Sequence, residues 1–388
     1  MLAQVRPPTT APGVALAFEL RALDVFVYRV PIGEPVRTSF GVMRDRPALL
    51  LRAQDHDGCV GWGEAWCNFP AVGAEHRARL VTSVISPHLV GRRWADPTAA
   101  WLDLDGSLRI LALQTGEPGP FAQVCAATDA ALWDLVARRA GLPLWRLFGG
   151  VRSVPVYASG INPDRPEQIA LARRDEGFRA FKLKVGFGAA RDVANLERMR
   201  AALGEDAPIM LDANQAWTPA EALAMSRALA SARPVWLEEP MAADAPESAW
   251  QSLARESPVP LAAGENVRGM EDFARAVGSG ALAYVQPDIG KWGGFSGGLA
   301  VARHALAHGV TFCPHWLGGG IGLVASLHLL AAAGGSGYAE WDANPNPLRD
   351  RLAPLPRIVD GRVELSDAPG LGVEPDLEWA GRYRVSVG

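Results

Sequence analysis

The sequence predicts an α/β barrel preceded by a smaller α+β domain. Three observations carry this. From residue 150 onward, short apolar segments recur about every 23 to 29 residues with helical text between them, as repeated βα units require. Nearly every one of these segments ends in an ionisable residue. Before Gly149 and Gly150 the text instead reads as a strand meander followed by helices.

The bulk numbers agree with one large domain plus a smaller one. The chain has 388 residues, 49% of them apolar and 21% charged, with a formal net charge of −4. That is an ordinary globular composition without the basic surplus of a general nucleic-acid binder. Cys59, Cys67, Cys125 and Cys313 form no CxxC pair and no zinc-type spacing, so they read as scattered thiols of a reducing compartment. No apolar run approaches the roughly 18 residues of a membrane span, and no membrane partner is expected. The expectation is a cytoplasmic protein with a loose N-terminal extension over residues 1–20.

Residues 21–148 give the α+β domain. LDVFVYRV, ALLLRAQD and CVGWGEAW read as antiparallel strands, with a Gly-containing loop TSFGVMRDRP between the first two and the turn DHDG before the third. AEHRARLVTSVISPHLV and FAQVCAATDAALWDLVARRA have helical spacing, the second stopping at Gly141 and Pro143. Residues 149–355 supply eight strand candidates: VPVYAS, AFKLKV, PIMLDAN, VWLEEP, PLAAGEN, AYVQPDI, VTFCPH and GYAEWD. An open doubly wound sheet is the rival, but no GxGxxG follows the first strand. Residues 356–388 hold no ninth unit and are expected to pack back on the first domain.

Active sites of such barrels lie at the C-terminal ends of the strands. In FKLKV, alternation puts Lys182 and Lys184 on one face, pointing into the mouth. Two adjacent ammonium groups should depress each other's pKa and make one a base. An isolated KxK is more often a solvated pair. The third, fourth and fifth strands end in Asp212, Glu238 and Glu265, an all-oxygen set suited to Mg2+, although each acid taken singly reads more readily as a salt-bridge partner or helix cap. Asn214 follows on the face of Asp212 as a substrate contact, and alternation turns Glu239 away from Glu238. The sixth strand ends in Asp288 and the seventh in His315, a carboxylate beside an imidazole as acid/base catalysis requires. Glu340, on the eighth, is a candidate acid or hydrogen-bond donor to an enolate.

Taken in order, ATDAALWDLVARRAGLPLWRLFGG, KLK, LDAN, LEEP, GEN, QPD, PH and AEWD resemble the mandelate racemase subgroup of the enolase superfamily. The resemblance implies a modified TIM barrel, (β/α)7β, capped by the N-terminal α+β domain and completed by the C-terminal tail. It implies Mg2+ on Asp212, Glu238 and Glu265, with Lys184 (tuned by Lys182) and His315 (paired with Asp288) as acid/base groups on two sides of one carbon. Such enzymes enolise a small-molecule carboxylate. Dehydration of an acid sugar to a 2-keto-3-deoxy product is the first expectation, and racemisation or epimerisation of a 2-hydroxy acid, or cycloisomerisation of an aldarolactone, is the alternative. The first cap loop, about Arg37 to Arg46, would close over the substrate, with Arg37 and Arg44 as contacts to a second carboxylate or polyol. The family resemblance also implies a homodimer or octamer. A barrel glycosidase using Glu238 and Glu265 leaves both lysines unexplained. A non-catalytic binding protein would ordinarily have lost one of these residues.

Overall fold

The computed structural model describes residues 5–37 and 41–387, with the backbone alone for Glu34 and Arg37. The cap is built from β1 (Phe18–Arg37), β2 (Val42–Asp55) and β3 (Val60–Ala65), an antiparallel meander, with β4 (Arg93–Trp94) beside β1. The apolar faces of these strands lie on α1 (Gly73–Leu80), α2 (Ser86–Leu89), α3 (Pro97–Gln114) and above all α4 (Pro118–Arg139). α4 is buried almost all round, as a helix without a polar face must be. β3 comes so close to it that a Cβ on Gly63 would stand 2.0 Å from the Ala127 carbonyl oxygen.

The segment expected as the first cap loop is mostly strand. β1 and β2 pair out to Val36↔Met43 and Arg37↔Val42, so only residues 38–41 lie between them, of which 38–40 are outside the described residues. Val36 and Met43 are buried while Val42 and Arg44 are exposed, the alternation of a one-sided ribbon. The N-terminal extension also differs from expectation. Ala11 N–H donates to Leu147 O at 2.7 Å, Arg139 holds the Ala15 and Ala17 carbonyls, and Val14 and Leu16 pack on the core.

After α5 (Leu144–Leu147) the barrel begins. Its strands are β5 (Ser153–Ile161), β6 (Phe181–Lys184), β7 (Ile209–Asp212), β8 (Leu237–Glu238), β9 (Leu261–Ala263), β10 (Tyr284–Val285), β11 (Thr311–Phe312) and β12 (Ala339–Asp342). Between them run α6 (Pro166–Asp175), α7 (Ala189–Leu203), α8 (Pro219–Leu229), α9 (Glu247–Glu256), α10 (Met270–Gly278), α11 (Gly294–Ala307) and α12 (Gly320–Ala333). Neighbouring strands from β5 to β11 pair in parallel, and β12 pairs in parallel with β5 to close the ring. Seven βα units and a last strand make this (β/α)7β. β11 and β12 meet at Gly337, where a Cβ would fall 1.8 Å from Phe312 O, and at the Tyr338 N–H to Cys313 Sγ contact of 3.4 Å.

Two apolar layers result. The larger core lies between strands, helices and cap; the smaller, Tyr157, Ala180, Met210, Trp236, Ala262 and Cys313, fills the barrel floor. The tail past α13 (Pro347–Asp350) does two jobs. The hairpin of β13 (Ile358–Val359) and β14 (Arg362–Glu364) extends the barrel at β5; then α14 (Leu377–Gly381) and β15 (Arg384–Val385) follow, and β15 joins β1 of the cap. Expected contact with the first domain is therefore only its second half. Among the described residues no helix is long and apolar enough to cross a membrane.

Candidate active site

Strand register sets the first row of the site. Lys184, Asp212 and Glu238 are direct neighbours across β6, β7 and β8, so their side chains share one face at the barrel mouth. Lys184 Nζ donates to Asp212 Oδ2 at 2.5 Å and to Asn214 Oδ1 at 2.7 Å. Lys182, one layer deeper and 0% exposed, donates to both Glu238 oxygens at 2.8 Å and meets Glu340 Oε1 at 2.8 Å. Its Nζ lies 5.3 Å above the Tyr157 ring.

The two lysines are not the mutually depressed pair that spacing alone predicts. Burial opposes the Lys182 ammonium, but Glu238 and Glu340 outweigh it and hold its pKa well above the usual lysine value. Burial likewise opposes Lys184, and the charge of Asp212 outweighs both that and the repulsion from Lys182, so its pKa is raised. In this arrangement both are ammonium groups. The carboxylates nearby, unseen in a reading of FKLKV alone, make the difference.

On the opposite side, β10 and β11 carry the second pair. His315 Nδ1 donates to Asp288 Oδ2 at 2.6 Å, and an isolated bridge joins the two backbones. Asp288 Oδ1 accepts from Gly290 N–H at 2.8 Å, so the carboxylate that orients the ring is itself fixed. His315 Nε2 stands 2.6 Å from Glu265 Oε2 and 3.4 Å from Glu340 Oε2. Burial alone would lower the imidazole pKa; Glu265, Glu340 and the Asp288 hydrogen bond raise it well above the ordinary value.

Glu340 was expected as a proton donor, and here it is an acceptor. It takes bonds from Lys182, Ser159 Oγ and Trp316 N–H. Burial would raise its pKa, but His315 and Lys182 bring it down to about 2, so it is ionised. Alternation also fails at Glu239. A left-handed φ of 38° ends the strand there and returns its side chain to the site, 1% exposed. Its carboxylate accepts from Asn266 Nδ2 at 3.0 and 2.9 Å and from Gln215 Nε2 at 3.0 Å, and burial with the neighbouring Glu265 pushes its pKa up to about 8. Lys291 Nζ, 3.6 Å from Glu265 Oε1 and 4.7 Å from the Trp66 ring of the cap, completes this side. Asn266 and Lys291 sit in the motifs GEN and QPDIGK, but spacing gave no sign that they touch Glu265.

Of the cap arginines, Arg44 is exposed on β2 and the Arg37 side chain lies outside the described residues. Arg46 instead reaches the barrel: it is 1% exposed and its Nη2 donates to Asp342 Oδ2 at 2.8 Å. The cap is further held by Glu64, whose oxygens accept from Gly319 N–H (2.6 Å) and Gly322 N–H (2.9 Å) at the start of α12, and by Trp66 N–H on Gly290 O at 3.2 Å.

The residues suit a dication in chemistry. Asp212, Glu238 and Glu265 offer only oxygen donors at the ends of successive strands. Around Glu238 negative charge exceeds what Lys182 balances: burial and the neighbouring Asp212 and Glu340 push its pKa up to about 7 despite Lys182, whereas His315 and Lys291 overcome burial and hold Glu265 well below the usual carboxylate range. As placed, their side chains lean onto Lys184, Lys182 and His315, and among the described residues no three His, Cys, Asp or Glu groups converge on one point.

A barrel with paired lysines on one side of its mouth, an Asp-held histidine on the other and carboxylates between them defines an enzyme that enolises carboxylates. Residues 22–149 match the mandelate racemase / muconate lactonizing enzyme N-terminal domain, and residues 165–379 match the enolase C-terminal domain-like family. The chain belongs to the mandelate racemase / muconate lactonizing enzyme family of the enolase superfamily, and is a lyase or isomerase. It is 31% identical to D-galactarolactone cycloisomerase of Agrobacterium fabrum, over 88% of this chain and 92% of that one. It is 33% identical to 3,6-anhydro-alpha-L-galactonate cycloisomerase of Streptomyces coelicolor, over 92% and 98%, and 35% identical to L-talarate/galactarate dehydratase of Salmonella typhimurium, over 66% and 64%. Among solved structures, a mandelate racemase/muconate lactonizing enzyme from Bordetella bronchiseptica superposes with TM-score 0.89 at 48% identity, covering 95% of this chain and 99% of that one. A Streptomyces coelicolor racemase with bound magnesium superposes with TM-score 0.85 at 32% identity, covering 94% and 100%.

Proposed function

We propose that this enzyme dehydrates an acid sugar: it removes the proton α to a carboxylate and expels a β-hydroxyl as water, giving a 2-keto-3-deoxy acid. The observation that carries the reading is the placement of Lys184 and His315 on opposite sides of Asp212, Glu238 and Glu265. Those three carboxylates would hold Mg2+, which when bound supplies a Lewis acid for the substrate carboxylate and its enediolate. Asp212 holds Lys184 as an ammonium here; once that carboxylate is engaged by the dication and the ammonium has lost its proton to solvent, the neutral Nζ would take the α-proton. Lys182 presents its charge at the depth of the carboxylate, and Asn214 holds Lys184 from the side. His315, with Nδ1 committed to Asp288, keeps a proton available at Nε2 and gives it to the leaving oxygen. As hydroxide leaves poorly, that proton favours dehydration.

A second reading, cycloisomerisation of a sugar-acid lactone or an anhydro sugar acid, is favoured by two sugar-acid cycloisomerases among the relatives matched over most of the chain. It begins with the same proton abstraction. Incubation of the enzyme and MgCl2 with a set of aldonates, aldarates and their lactones separates the two. Dehydration gives a 2-keto product of the substrate mass less one water, whereas cycloisomerisation leaves the mass unchanged. A set in which no acid reacts contradicts both. A cytoplasmic setting accords with four free cysteines, and a homodimer or octamer is the proposed assembly, which light scattering checks.

A further inference from the structure

We infer that Arg46 and Asp342 form the subsite for the far, oxygen-bearing end of the substrate; this rests on the carboxylate-enolising reading above. Arg46 leaves β2 of the cap and enters the barrel against β12. Its Nη2 is 2.8 Å from Asp342 Oδ2 and its Nε donates to Pro345 O at 3.2 Å. The two side chains are only 1% and 3% exposed. Arg46 Nη1, however, is out of contact with water and has no acceptor among the described residues. A buried guanidinium N–H left without an acceptor is destabilising, and an oxygen of a bound ligand relieves it.

Position says which part of a ligand would supply the oxygen. Asp342 is two residues beyond Glu340 on the same face of β12, hence about 6.6 Å nearer the mouth at ~3.3 Å rise per residue. Glu340 meets Lys182 and His315 at the level of the reacting carboxylate. Ser159, the register partner of Asp342, bonds Glu340, so the wall between the two levels is continuous. An acid chain of roughly four to six carbons, anchored at Lys182, spans that interval. Asp342 is not free to turn away, since Asn344 N–H and Nδ2 hold its Oδ1 at 2.9 and 2.8 Å, and Arg349 Nη1 adds a second cation at 3.7 Å. A donor-rich, cationic wall selects hydroxyl or carboxylate oxygens and rejects an apolar end.

The test compares kcat/KM for the six-carbon aldarate or aldonate that the full-length enzyme turns over with that for α-proton exchange of three-carbon glycerate. Arg46→Met should lower the six-carbon to three-carbon ratio at least tenfold, and Arg46→Lys should give an intermediate ratio. Arg46→Lys, which keeps a charge against Asp342, carries the test should Arg46→Met not fold. A ratio within twofold of wild type, with both rates and the melting midpoint falling together, would show a cap latch only and overturn the inference. Wild-type enzyme that exchanges neither acid overturns the underlying functional reading instead.

Discussion

Lys182 and Lys184 sit two residues apart on one face of β6, yet they meet different neighbours. Lys182 is locked among Glu238, Glu340 and Asp212, whereas Lys184 has one carboxylate and one amide. The deeper lysine is thus a fixed charge, and the outer one is placed to move a proton. Replacing Lys184 with Ala should abolish α-proton exchange from one face of the substrate, and His315→Asn should abolish exchange from the other or stop dehydration, each by about 100- to 10,000-fold. Stereospecifically deuterated substrate followed by proton NMR checks both; equal retention of exchange from both faces in either variant contradicts the assignment. Asp288→Asn should lower turnover through the orientation of His315 without a comparable change in KM, read from a full saturation curve. Alternation and strand ends made Lys184, Asp212, Glu238, Asp288 and His315 legible in the sequence. Glu239 and Asn266 were not, because a left-handed residue at a strand end and a side-chain amide across two loops leave no periodic trace.

At the scale of elements, β3 is the joint between cap and barrel. Its face toward α4 has no side chain at Gly61 or Gly63, and a Cβ at Gly63 would meet backbone, which cannot give way. Gly63→Ala should therefore cost about 3 kcal/mol or more, or prevent folding, as denaturant titration would read. The next residue, Glu64, sits at the N-terminal end of α12. Burial raises its carboxyl to about 7, even though N–H groups of Gly322 and Gly319 bond it. A folded-state pKa above the unfolded value of about 4.3 means the folded protein holds the proton more tightly. Its contribution to stability is thus greatest below pH 4 and declines by about 3 kcal/mol as pH rises to 7. The melting-midpoint advantage of wild type over Glu64→Gln should accordingly shrink between pH 5 and pH 7; a constant difference contradicts the assignment. The strands of the cap were readable from their period-2 text. The length of the β1–β2 ribbon was not, since a glycine and several arginines in TSFGVMRDRP look like a loop until Val36 and Met43 are seen paired and buried.

The whole molecule brings one cap and one ring of strands to a single mouth. The eight-fold recurrence of short apolar segments made the barrel legible, and the order of their ionisable ends made the reaction class legible. Cap placement was not, because Arg46–Asp342, Glu64 with Gly319 and Trp66 with Gly290 join residues up to 296 positions apart. That closure brings Arg46 of the cap onto Asp342 of β12, where the acid-sugar reading puts the far end of the substrate. The central claim is cation-assisted removal of an α-proton. The most direct measurement is proton NMR of α-hydrogen exchange in D2O for the acid sugar turned over, using EDTA-stripped enzyme before and after MgCl2 is restored. Exchange that is lost on stripping and returns with magnesium is the predicted result, and stripped enzyme that exchanges as fast as the restored enzyme would contradict it.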